Sequence, residues 1–116
     1  MGVTYEQVRG WVLELPGTGE VMVEEWGHPT LRVGDKMFAS GTPGSTVMTV
    51  KASKEEQAAL LAAAPEVYSV AAYVGRFGWV QVALDRVEAD ELRELVVEAW
   101  RRTAPKKLVK QYDAGA

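Results

Sequence analysis

Apolar residues recur at helical spacing near both ends of the chain and alternate with polar ones in between. Val8, Trp11, Val12 and Leu15 lie three and four positions apart and predict an amphipathic helix over residues 5–14. Thr4 and Gln7 form a capping box at its start, each side chain placed to satisfy a backbone amide of the other. Pro16–Gly17–Thr18–Gly19 ends it, since proline brings no amide and glycine tolerates the reversed backbone. From Glu20 the period drops towards two. Glu20–Trp26 reads as a first strand. Thr30–Val33 and Lys36–Ser40 read as a hairpin around Gly34–Asp35, a two-residue loop with glycine first. Gly41–Ser45 is a loop and Thr46–Val50 a fourth strand. Short turns between successive strands predict an antiparallel meander.

The second half returns to helix. Ser53 caps a segment rich in Ala58, Leu60, Leu61 and Ala62, strong helix formers, and Pro65 stops it. Glu66–Gly78 carries Tyr68, Tyr73, Gly75, Arg76, Phe77 and Gly78 with no clear period and reads as a connection. Trp79–Leu84 predicts a fifth strand. Over 89–103, Leu92, Leu95, Val96, Ala99 and Trp100 share one stripe of the longest helix. Ala104–Pro105 breaks it, leaving Lys106–Tyr112 as one or two basic turns before a frayed tail. The order is α-β-β-β-β-α-β-α, with strands grouped rather than interleaved with helices. That pattern predicts the α+β class, an antiparallel sheet of about five strands with helices on one face. Residues 1–116 form one domain, with 104–116 as a basic C-terminal tail.

Composition narrows the chemistry more than it names it. The chain has 116 residues, 47% apolar and 25% charged, as in an ordinary globular domain. No apolar run approaches the roughly 20 residues that cross a bilayer, so no membrane partner is expected. The start, MGVTYEQV, lacks a secretion signal, and the expected location is cytoplasmic. Cysteine is absent, which removes disulfides, thiolate catalysis and cysteine-bound metals. A single histidine makes a polyhistidine metal site within one chain impossible, and no cofactor is expected. The net charge of −3 is unevenly spread. Residues 1–31 hold five acids and one base, whereas 101–116 hold Arg101, Arg102, Lys106, Lys107 and Lys110 against Asp113.

Candidate chemistry centres on WGHPTLRVGDKMFAS, residues 26–40. As a catalytic base His28 requires a serine or carboxylate within roughly 3 Å. Ser40, Ser45, Glu24 and Glu25 are the candidates, but no nucleophile motif accompanies them. A structural role, with the ring tying down the Gly27–His28–Pro29 corner, is the better expectation, and the protein is expected not to be an enzyme. Glu24 and Glu25 are adjacent on a strand and point to opposite faces. Gly75 and Gly78 form a G-x-x-G loop with Arg76 inside it, a weak phosphate-clamp pattern. Tyr68, Tyr73, Phe77 and Trp79 are able to stack on a flat ligand, or else plug the end of a sheet.

Taken together, WGHPTLRV followed by DKMFA, then AYVGRFGWVQVAL, then DELRELVVEAWRRTAPKKL resembles the MmcQ/YjbR family of small bacterial proteins. The resemblance covers most of residues 11–110. It implies helices packed against one antiparallel sheet in a double-wing, DNA-binding arrangement. On that resemblance the expected function is a non-catalytic, regulatory DNA-binding protein whose Gly34–Asp35 hairpin acts as a wing. Arg32, Lys36, Arg76, Lys106, Lys107 and Lys110 would then contact phosphates, with little reading of base edges. The alternative is a small-ligand or protein-binding module that uses an aromatic groove near His28, Tyr73, Arg76 and Trp79.

Overall fold

The computed structural model describes residues 2–115, so the last residue of the basic tail, Ala116, lies outside the described residues. The chain folds as α1 (Tyr5–Leu13), β1 (Thr18–Val23), β2 (His28–Val33), β3 (Lys36–Gly41), β4 (Val47–Val50), α2 (Lys54–Ala63), β5 (Tyr68–Val70), a 3₁₀ turn (Val74–Phe77), β6 (Val80–Ala83), α3 (Ala89–Thr103) and α4 (Lys106–Gly115). The six strands form one antiparallel sheet in the order β1-β2-β3-β4-β6-β5. The α+β class is as the strand grouping predicts.

Local signals act as their chemistry requires. The Thr4 hydroxyl accepts from the Gln7 amide at 3.1 Å while Gln7 Oε1 accepts from the Thr4 amide at 2.9 Å. The Ser53 hydroxyl accepts from the Glu56 amide at 3.0 Å and opens α2. Gly34, at φ +61°, takes the first place of the β2–β3 turn, where a side chain would be strained.

The core lies between the sheet and helices α1 and α3. Leu31, Ala39, Val50 and Val80 come from successive strands and meet the α3 stripe of Leu92, Leu95, Val96, Ala99 and Trp100. Trp100 is fully buried, and its indole donates to the Pro16 carbonyl at 3.1 Å. That bond ties α3 to the turn leaving α1.

Three expectations need correction. The stretch read as a connection with no clear period contains β5, which pairs with β6 through Tyr68–Val82, Ser69–Gln81 and Val70–Val80. Three residues are too few to display a period, so this strand is set by its partner. The first strand runs Thr18–Val23 rather than 20–26. Glu24–Gly27 turns the chain, with the Gly27 amide reaching the Val23 carbonyl at 3.0 Å and Gly27 at φ +73°. β2 therefore begins at His28 and includes Pro29, which lies outside the stretch paired with β3 and so costs that ladder no bond. The turns expected over Lys106–Tyr112 form α4, which docks and runs on to Gly115 where a frayed tail was expected. Tyr112 sits edge-on to Trp100 with ring centroids 5.3 Å apart, and Asp113 receives Arg101 at 2.7 and 3.1 Å.

Candidate functional site: a basic basin and an aromatic groove

Two concave surfaces stand out, built in different ways. The first is a basin of about 750 Å³ where element ends meet. Lys36 reaches it from the β2–β3 turn, Arg102 from the last turn of α3, and Lys106 from the first turn of α4. Lys51, just past β4, joins them by donating to the Thr103 hydroxyl at 3.1 Å. Burial pushes the Lys51 ammonium below its ordinary pKa, and the charges of Lys36 and Arg102 push it the same way. Two acids temper the cluster. Asp35 lies in the wall, and Glu56 stands 3.5 Å from Arg102. Arg101, by contrast, is spent on Asp113 and Glu98.

The second surface is the sheet face turned away from α1 and α3. Strand register aligns Thr30, Ser40, Thr49, Gln81 and Ser69 in one row across β2, β3, β4, β6 and β5. Thr30 is buried beneath Arg32, whose Nε donates to its hydroxyl at 2.9 Å, and that hydroxyl donates to the Val21 carbonyl at 2.8 Å. Ser40, Thr49 and Gln81 remain half-buried and floor a groove of about 520 Å³. Met37 joins the floor because of a bulge. Leu31 pairs with Ala39 and Arg32 with Met37, leaving Phe38 as the extra residue. Phe38 and Ala39 both turn into the core, which resets the alternation and sends Met37 and Ser40 to the groove.

The groove walls are aromatic. Trp26, 54% exposed, stands beside His28 with ring centroids 5.9 Å apart. Tyr73, 96% exposed, rises opposite from the β5–β6 connection. Tyr73 holds φ +62° and ψ −54°, and the Val74 amide donates to the Ala72 carbonyl at 2.6 Å across it. This is a three-residue γ-turn of the rarer, strained sense.

The predicted site residues distribute between and beyond these surfaces. Lys36 and Lys106 meet in the basin. Arg32 lies on the same hairpin, its guanidinium reaching the Asp35 carbonyl at 3.2 Å. Lys107 and Lys110 are exposed on α4 but do not line the basin. Arg76 is at the β5 edge of the sheet, stacked 4.8 Å over Phe77. Of the expected aromatic groove, His28 and Tyr73 are present, whereas Arg76 and Trp79 are not among its lining residues. Trp79 is buried, 8% exposed. Tyr68 is core, its hydroxyl donating to Glu91 at 2.7 Å, and burial raises its pKa, helped by that carboxylate. His28 Nδ1 lies 3.2 Å from the Pro29 carbonyl, its one polar contact among the described residues. The ring therefore stays within its own strand start and groups with Trp26.

Sequence reasoning missed Lys51, Arg102, Met37, Thr49 and Gln81 as site residues. The signal for Thr49 and Gln81 was present as polar positions in alternating strands, but alternation alone does not tell open water from a walled groove.

A family model, YjbR, matches residues 13–102. The chain belongs to the YjbR family. Similar proteins include uncharacterised proteins of Mycobacterium bovis and of two Mycobacterium tuberculosis strains. Each is 30% identical over 131 residues, covering 97% of this chain and 98% of the relative. The crystal structure of Deinococcus radiodurans protein DR2400, with a DUF419 domain, is similar at a TM-score of 0.76 and 24% identity, covering 84% of this chain and 75% of that one. That likeness shows the fold. No helix among the described residues is long and apolar enough to cross a membrane.

Proposed function

We propose that this YjbR protein is a non-catalytic, regulatory DNA-binding protein that holds the duplex by its phosphates at the basic basin. The observation that supports the reading is convergence. In a chain of net charge −3, Lys36, Arg102 and Lys106 gather from three separate elements around one concavity, and Lys51 bonds to Thr103 in its wall. A phosphate entering there relieves their mutual repulsion and regains favourable contacts for a partly desolvated Lys51. The Gly34–Asp35 hairpin serves as the wing beside it, with Lys36 at its turn and Arg32 on its first strand. Lys107 and Lys110 extend the cationic surface along α4. Arg76 falls outside this footprint, so the reading assigns it no phosphate.

Few cations imply modest affinity and a shallow salt slope. With about three phosphates neutralised, the slope of log K against log salt is about −2.7. Anisotropy titrations of a labelled duplex at several salt concentrations measure it. The expected result is binding at low salt that Lys36→Glu/Lys106→Glu weakens on the order of a hundredfold, with Arg76→Ala unchanged. No binding at low salt, or binding indifferent to the double reversal, overturns the proposal.

A further inference from the structure

We infer that the open-face groove binds a small, uncharged, planar heteroaromatic molecule, a nucleobase or a compound of that shape and polarity. The inference is independent of the basin and of DNA. Ser40, Thr49 and Gln81 floor the groove with two hydroxyls and a carboxamide, each able to donate and accept. A ring carrying nitrogen acceptors beside exocyclic donors matches such a floor. No Lys, Arg, Asp or Glu lines the groove among the described residues. Outside His28 the lining holds no side chain that offers a counter-charge, so a charged ligand there would lose hydration for little return. Trp26 and Tyr73 offer faces on which a flat ring stacks. The volume, about 520 Å³, falls within the roughly 300–1,000 Å³ of small-molecule sites.

Tyr73 is the decisive residue. Its backbone occupies a conformation that glycine adopts freely and tyrosine adopts only at a cost. Its ring, almost wholly exposed, brings no packing in return. Strain kept without internal compensation marks a side chain held out for a contact beyond the molecule. The loop presenting it is anchored on both sides. A side chain at Gly75 would collide with Val70, and one at Gly78, φ +107°, would come within 2.6 Å of the Ala52 carbonyl. Gln57 adds two bonds, its Nε2 donating to the Gly75 and Trp79 carbonyls at 2.8 Å each. The ring is therefore presented on a fixed arm.

A nucleic-acid strand is the other source of flat bases, but strand-binding surfaces combine stacking with cations that follow the backbone. Arg32, two residues past Thr30, is already turned to Thr30 and the Asp35 carbonyl, and Arg76, three residues past Tyr73, stacks on Phe77 and does not line the groove. The free molecule is the better fit.

The test is a ¹⁵N-NMR titration of the full-length protein with adenine, uracil and nicotinamide. Benzoate serves as a flat anion, cyclohexanol as a neutral ring without a flat face, and a short single-stranded oligonucleotide as the strand. At least one of the three heteroaromatics is expected to shift Ser40, Thr49, Gln81 and the Trp26 indole saturably. Benzoate and cyclohexanol should bind at least about tenfold more weakly. Tyr73→Gly, which relaxes the turn and so keeps the fold, should weaken the heteroaromatic on the order of tenfold. Four outcomes overturn the inference: no saturable shift with any heteroaromatic, equal binding of benzoate or of cyclohexanol, an unaffected Tyr73→Gly protein, or tighter, salt-dependent seating of the oligonucleotide in the groove.

Discussion

The basin and the groove share one small fold and are assembled by opposite rules. The basin is made of ends: a hairpin turn, the residue past β4, the last turn of α3 and the first of α4. Charges collect there because element ends are wet. A cation near the C-terminus of α3 also complements its dipole. The groove is made of middles, with Ser40, Thr49 and Gln81 each inside a strand. Its shape follows from register, the Phe38 bulge and one strained turn. A site of ends tolerates exchange of one lysine for another. A site of middles depends on the backbone, and a one-residue slip would replace its whole floor.

That contrast can be broken most forcefully at Gly78. Gly78→Val sets a branched side chain at φ +107° against the backbone of Ala52, Ser53 and Lys54. A loss of about 3 kcal/mol or more is expected, read by urea denaturation. Stability close to that of the parent would mean that the Tyr73 arm is not anchored as described. Next in size is Tyr73→Gly, with the opposite sign. Release of the γ-turn should raise unfolding free energy by about 1 kcal/mol. A drop in stability would show that the exposed ring contributes packing after all, and would remove the argument from strain.

The smallest effect sharpens the basin. Lys51 has a folded pKa below its ordinary value, first through burial and then through Lys36 and Arg102. Below that folded pKa the ammonium is charged in both states, and its desolvation counts against the fold. As pH rises from the folded towards the ordinary value, the folded state gives up the proton first and the penalty fades. Lys51→Met should therefore be more stable than the parent at pH 7 by a few tenths of a kcal/mol, and the gap should close near pH 10. Comparing the two proteins is essential. Tyr5 and Tyr68 have pKa values raised mainly by burial, with Glu20 and Glu91 as their partners. Their contribution is complete below the ordinary tyrosine pKa and declines above it, so both proteins lose stability in alkali for that separate reason. A gap that widens with pH would contradict the placement of Lys51 in a cationic, partly dry basin.

Acid supplies a further check away from both surfaces. Burial favours protonation of Glu20, but hydrogen bonds from Tyr5 at 2.7 Å and Arg9 at 2.9 Å outweigh it and hold its pKa below the usual value. The stability it provides is present above the ordinary carboxylate pKa and is lost as pH falls through the folded one. Glu20→Gln should flatten the acid limb of a denaturation profile, with neither surface affected. An unchanged limb would remove Glu20 from the account of α1 docking on β1.

Most elements were legible because their signals are local. Thr4 with Gln7, Ser53, Pro16–Gly17, Gly34–Asp35 and the α3 stripe each act within a few residues, where capping, proline geometry and amphipathic burial are decided. β5 was not legible. Tyr68–Val70 has too little length for a period, and it becomes a strand only because β6 provides its bonds. α4 was half legible, since Lys106–Tyr112 has helical spacing but its docking waits on Trp100 and Arg101.

For the sites the division is sharper. Sequence by itself determined the α+β class, the cysteine-free chemistry, the basic C-terminal segment and the positions of most helices and strands. These follow from residue type and short-range spacing. Only tertiary structure decided that Lys36, Lys51, Arg102 and Lys106 converge while Arg76 stands apart, because distance between element ends is a property of packing. Only tertiary structure, too, aligned Ser40, Thr49 and Gln81 on one open face and sent Phe38 inward beside Ala39. Strand register joins residues far apart in the chain, and one bulge changes which side chains share a surface.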